Sequence, residues 1–136
     1  MKVHLKKMLS LAALGMSLFT TTVPTWAGFV STPEVYIGVN GNGLSYARGS
    51  MVGARYSADN TQRIACRITF DSSIPNLYME CFAADSGGKL LSCSSAAPEY
   101  LEAVQAMTDS SYIYFEVGRY GQCRGVSITD SSGLLK

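Results

Sequence analysis

The sequence predicts an α+β domain: a small antiparallel β-sheet of about six to seven short strands in hairpins, one helix packed on a sheet face, and two disulfides. Three observations carry this. Short runs in which apolar and polar residues alternate are separated by clusters of Gly, Asn, Asp and Ser, the pattern of strands and turns. One segment alone, residues 97–107, repeats its apolar residues at helical spacing, too little helix for the crossovers of a parallel sheet. The four cysteines form an even set, read as two bridges in an oxidising compartment.

Residues 1–27 read as a secretory leader. Lys2, His4, Lys6 and Lys7 make a basic start, residues 8–19 are mostly apolar, and a polar tail ends in Thr25-Trp26-Ala27. The small residues at 25 and 27 place cleavage after Ala27. An apolar stretch of about a dozen residues falls short of the roughly 20 that span a bilayer, so no integral membrane anchor is expected. The first cysteine is Cys66, so none near the cleavage site could carry a lipid. Residues 28–136 are therefore expected as a single disulfide-stapled domain in the periplasm or outside the cell. Cleavage leaves 109 of the 136 residues and removes the one histidine and the one tryptophan.

The strands follow in order. Residues 34–39 set Val35, Ile37 and Val39 against Tyr36, and Asn40-Gly41-Asn42-Gly43 is a hairpin signal leading into residues 44–48. Residues 49–60 are irregular, broken by Gly49 and Gly53. In residues 62–70, Ile64, Cys66, Ile68 and Phe70 share a face; after the turn-rich residues 71–76, Leu77, Met79, Cys81 and Ala83 do the same. A hairpin with Phe70 opposite Leu77 sets Ile68 against Met79 and Cys66 against Cys81, close enough to bridge. That register favours Cys66 with Cys81 and leaves Cys93 with Cys123; a shifted register, or Cys81 pairing with Cys93 across the next turn, gives another connectivity. Asp85-Ser86-Gly87-Gly88 turns the chain into a strand from Lys89 to about Ser94. Pro98 suits the first turn of the helix, Glu99 and Glu102 suit its positive end, and Ala97, Tyr100, Leu101, Val104 and Met107 form its apolar stripe. Residues 111–117 put Ile113, Phe115 and Val117 on one face and Tyr112, Tyr114 and Glu116 on the other. Gly118-Arg119-Tyr120-Gly121 returns the chain into a last strand, about residues 122–129.

Composition excludes several functions. Residues 28–136 carry eight basic and ten acidic side chains, so the domain has no electrostatic footprint for nucleic acid. Without histidine, the Ser-His and Cys-His arrangements are missing, and bridged cysteines offer neither a thiolate nor a zinc site. No cofactor or metal is expected. A two-carboxylate hydrolase remains chemically possible, but no Asp or Glu pair stands out. The Asp-Ser-Ser triplets at 71, 109 and 130 read as turn chemistry, since their side chains bond back to nearby backbone.

Two features mark candidate binding residues. Tyr112 and Tyr114, with Tyr78 and Phe82, fall on strand faces opposite the expected core, where amphipathic rings can anchor a protein or a sugar. The glycine-punctuated segment 45–57 offers Tyr46, Arg48, Arg55 and Tyr56, two guanidinium groups that could reach a partner's carboxylate. Within it, Gly53-Ala54-Arg55-Tyr56-Ser57 is similar to the Gly-Ala-Arg-Tyr stretch of bacterial periplasmic lysozyme inhibitors of the membrane-bound and periplasmic C-type group. The resemblance covers five residues and implies an exported barrel whose motif helps to block a lysozyme cleft. This chain departs from the family's pattern in having no Trp near the motif and in its expected helix. The expectation is a non-enzymatic domain that binds a protein or envelope partner, with hydrolase inhibition and histidine-free carboxylate catalysis as alternatives.

Overall fold

The computed structural model describes residues 34–130, so the expected leader and the tail beyond Asp130 lie outside the described residues. In chain order the elements are β1 (Tyr36–Val39), β2 (Ser45–Ser50), α1 (Met51–Arg55), β3 (Arg63–Asp71), β4 (Ile74–Ala84), β5 (Leu90–Ser95), α2 (Pro98–Gln105), β6 (Tyr112–Val117) and β7 (Cys123–Thr129). The strands form two antiparallel sheets, one ordered β1-β2-β6-β7 and one ordered β3-β4-β5. The α+β class and its antiparallel hairpins are as the sequence predicts. The strands divide between two sheets, however, because β2 pairs with β6 across the whole β3-β4-β5 meander inserted between them.

The two sheets share one core. Ile37, Ala47, Ile113 and Phe115 line it from the four-stranded sheet, and Ile64, Cys66, Met79, Cys81, Ala83 and Cys93 from the three-stranded one. The β3–β4 register is the expected one, with Phe70 opposite Leu77, Ile68 opposite Met79 and Cys66 opposite Cys81. Val39 and Phe70 share the parity of core residues yet are 62% and 63% exposed, because their strands run past the edge of the core. Both bridges are those the register favours. Cys66–Cys81 closes the β3–β4 hairpin, whereas Cys93–Cys123 ties β5 to β7 and so fastens one sheet to the other. Beside it the Ser94 amide donates to the Gly121 carbonyl at 3.1 Å, continuing the seam.

Two helices span the sheets instead of one lying on a sheet face. Helix α2 starts at Pro98, with Ala97 as an N-cap that makes no side-chain bond, and Glu99 in its first turn complements the dipole. Val104 is buried and Tyr100, Leu101 and Met107 pack on the core, so α2 touches β3 and β4 on one side and β7 on the other. The Tyr100 hydroxyl donates to the Arg124 carbonyl at 2.9 Å. Helix α1 is the unexpected one. Fully buried Ser50, in extended backbone, accepts from the Gly53 amide at 3.2 Å and opens a five-residue helix that packs on β3 and β2.

A polar relay running inward from the exposed Asp59 fixes the entry of the chain. Gln62 is 7% exposed; its carbonyl accepts from the Val35 amide at 2.6 Å and its amide donates to Asp59 at 2.5 Å. Asp59 also takes the backbone amides of Thr61 and Gln62, and these bonds, that of the Gln62 side chain foremost, hold its carboxyl below the usual range. The triplet at 71 acts as turn chemistry, Asp71 accepting from Ser73. The other two triplets meet: fully buried Ser111 donates to Asp130 at 2.5 Å, pinning the start of β6 to the end of β7.

Candidate functional site: the tyrosine face of the four-stranded sheet

The β1-β2-β6-β7 register places two rows of side chains on the face turned away from the core. One row reads Tyr36, Arg48, Tyr114, Ser127; the next reads Gly38, Tyr46, Glu116, Gly125. Diagonal neighbours on such a face lie within reach of aromatic side chains. The Tyr36 and Tyr46 ring centres are accordingly 5.9 Å apart and those of Tyr46 and Tyr114 5.7 Å, tilted by 45° and 34°. The Arg48 guanidinium lies over the Tyr36 ring, 5.4 Å from its centre.

Glu116 anchors the polar side of this face. One carboxylate oxygen, Oε1, accepts both from the Tyr114 hydroxyl and from Asn40 Nδ2, the latter at 2.9 Å. Asn40 is itself fixed, because its side-chain oxygen accepts from the Asn42 and Leu44 amides at 3.0 Å each and so shapes the β1–β2 turn. The Glu116 bond, then burial and the carboxylate charge, push the Tyr114 phenol up to about 12. Tyr114 therefore stays a neutral donor across the physiological range.

Two glycines shape the floor. A Cβ at Gly38 would stand 2.7 Å from Tyr36 Cε1 and 3.1 Å from Tyr46 Cε1, so both rings lie down across the space that a side chain would fill. At Gly125 the nearest neighbour of a Cβ would be Glu116 Oε2 at 3.6 Å, which leaves that oxygen over bare backbone.

The structure thus brings together Tyr46, Arg48 and Tyr114 from the sequence-predicted set and places Tyr112 on the same face, one row further along. Arg55 and Tyr56 are not part of these rows: they sit on α1 and its C-cap, exposed, on a helix that packs toward β3. The segment similar to the lysozyme-inhibitor motif is helical at its start, with Gly53 and Ala54 buried. Tyr36, Asn40 and Glu116 join the site unforeseen. Tyr36 and Glu116 already stood on outward faces in the alternation, but only the long-range pairing of β1, β2 and β6 makes them neighbours.

The opposite outer face, on β3-β4-β5, is differently built. Arg67 donates through Nε and Nη2 to Glu80 Oε2 at 2.9 and 2.6 Å, and Tyr78 and Phe82 lie half-buried nearby. Among the described residues, no group of three or more His, Cys, Asp or Glu side chains could hold a metal, and no helix is long and apolar enough to cross a membrane. Three surface depressions, lined around Phe82 and Leu90, around Tyr78 and Ser95, and around Leu44 and Arg119, each gather at most one carboxylate. No protein-family model matches the chain, and no curated protein or solved structure matches it significantly.

Proposed function

We propose that the chain is an exported, non-enzymatic domain that acts by binding a protein or envelope partner through the outer face of its four-stranded sheet. The observation that carries this is the linked set Tyr36, Tyr46, Tyr114, Arg48 and Glu116, held in place on a face that faces away from the core. Aromatic and arginine side chains are the commonest binding anchors. Fixing them beforehand lowers the entropy lost when a partner docks. Both bridges suit an oxidising compartment, which supports export. The absence of histidine from residues 28–136, and of converging carboxylates from the three depressions described above, supports binding over catalysis.

The test is affinity capture from envelope and secreted fractions by oxidised protein, run beside Arg48→Gln and Tyr78→Ala variants of unchanged fold. A partner retained by the parent and by Tyr78→Ala, and lost with Arg48→Gln, is the expected result. The same capture profile from all three overturns the assignment of the face. Loss on Arg55→Ala instead would move the site to the end of α1 and favour inhibition of a secreted hydrolase such as lysozyme.

A further inference from the structure

The chemistry of the tyrosine face narrows its partner, and we propose that the face binds a saccharide chain of low net charge. This rests on the reading above, that the face is a binding site. Its strands spend their backbone groups in the β1-β2-β6-β7 ladders, so a ligand lying across them meets only side chains. A peptide adding itself as a strand needs an edge instead. A polyproline-type peptide needs clefts between upright rings. Here the Tyr36 and Tyr46 rings are laid over Gly38, and neighbouring rings are tilted by 45° and 34°, so no two stand parallel as the walls of a cleft.

A face of this kind suits a pyranose. Such a ring has a C–H face and a rim of hydroxyls; the C–H face packs on the electron-rich face of an aromatic ring, while the hydroxyls require donors and acceptors at its border. Tyr36 is 51% exposed, and with the Arg48 guanidinium 5.4 Å from its ring centre it offers a sugar an aromatic edge beside a hydrogen-bond donor. Acceptors and donors stand at the border: Glu116, Arg48 and the tyrosine hydroxyls. Glu116 is prepared for this in a specific way. Asn40 and Tyr114 occupy Oε1 and orient the carboxylate, while Oε2 has no hydrogen bond among the described residues and lies over Gly125. A hydroxyl donating to Oε2 would make a charge-assisted bond to a group already held in place. Within the two rows described above, the charged side chains are one cation, Arg48, and one anion, Glu116, which balance one another. That balance fits a neutral or weakly charged glycan and not a polyanion.

The experiment is native affinity electrophoresis of the oxidised protein in gels containing xylan, hydroxyethyl cellulose, glycol chitin or dextran, with co-sedimentation on insoluble peptidoglycan and chitin. Retardation or sedimentation by at least one glycan is expected. Tyr46→Ala and the near-isosteric Glu116→Gln should each weaken it about tenfold, as loss of a binding anchor does. Tyr78→Ala, on the other sheet, should leave it unchanged. Urea midpoints of the variants show whether the fold survives, and Glu116→Gln keeps the test valid if Tyr46→Ala does not fold. No binding to any of these glycans, or binding that both variants leave intact, overturns the inference. A protein partner that is lost with Arg48→Gln while every glycan fails overturns the saccharide and leaves the binding face standing; failure of both captures overturns both.

Discussion

Replacing Cys93 and Cys123 together by Ala removes the covalent link between the two sheets, and its cost can be worked from the loop it closes. The bridge spans 30 residues. Constraining a loop of that length takes about 12 cal/mol/K from the unfolded chain, or about 3.6 kcal/mol at room temperature. Both cysteines are buried, at 3% and 6% exposure, and Cys123 Sγ lies 3.6 Å from Met79 Sδ, so the lost sulfurs leave a void worth about 1 kcal/mol more. The expected loss is about 4 to 5 kcal/mol, a large fraction of what holds a domain of this size together. With a urea dependence of about 1 kcal/mol/M, the unfolding midpoint should fall by about 4 M, or the variant should not fold at all. The control is Cys66→Ala with Cys81→Ala, whose 15-residue loop gives about 3 kcal/mol before its own void. Hydrogen exchange separates the two. The Ser94 amide, bonded across the seam to Gly121, should lose protection first in the variant without the inter-sheet bridge. A loss below about 1 kcal/mol with Ser94 still protected would refute the role given to this bridge.

Raising the pH tests the Tyr114–Glu116 bond. The Tyr114 phenol is held at about 12 in the fold against an ordinary 10, so its contribution is fully present below about pH 10 and is lost as the pH rises through about 12. Ultraviolet titration of tyrosinate should show one late phenol that moves toward the ordinary value in Glu116→Gln; an unmoved titration would contradict the assignment. Gly38→Ala and Gly49→Ala should behave oppositely. The first pushes on the exposed Tyr36 ring and crowds that of Tyr46, both side chains, and should weaken partner binding with under about 1 kcal/mol of stability lost, whereas the second meets the Val35 Cα at 3.0 Å and should cost about 1 to 3 kcal/mol in thermal unfolding. Gln62→Leu strands the Val35 amide and should cost about 1 to 3 kcal/mol, read as a lower urea midpoint and faster exchange at Val35.

How much of this was legible depended on how local each feature is. The β3–β4 register and the Cys66–Cys81 bridge follow from period-two alternation on either side of one short loop, and Cys93–Cys123 follows by remainder. Helix α1 is too short to show an apolar stripe. It exists because Ser50 caps it and because Gly53 and Ala54 let it sit close to β3, which only tertiary packing reveals. The division into two sheets was equally hidden, since Ser45 pairs with Val117 across 72 positions and no local pattern carries that information. The same distance explains the site. Tyr46 and Arg48 were grouped with Arg55 and Tyr56 by adjacency along the chain, while their actual neighbours, Tyr36, Tyr114 and Glu116, come from strands on either side in the sheet.

The pairing of first cysteine with second, and third with fourth, has a consequence for the order of oxidation. A chain that enters an oxidising compartment N-terminus first presents Cys66 and then Cys81, and their hairpin can close before Cys93 has emerged. Both early thiols are then consumed, and Cys93 has no competitor left until Cys123 follows it 30 residues later. The native connectivity is thus the one that simple sequential capture produces. A chain oxidised in this order would form few wrong pairs for an isomerase to undo.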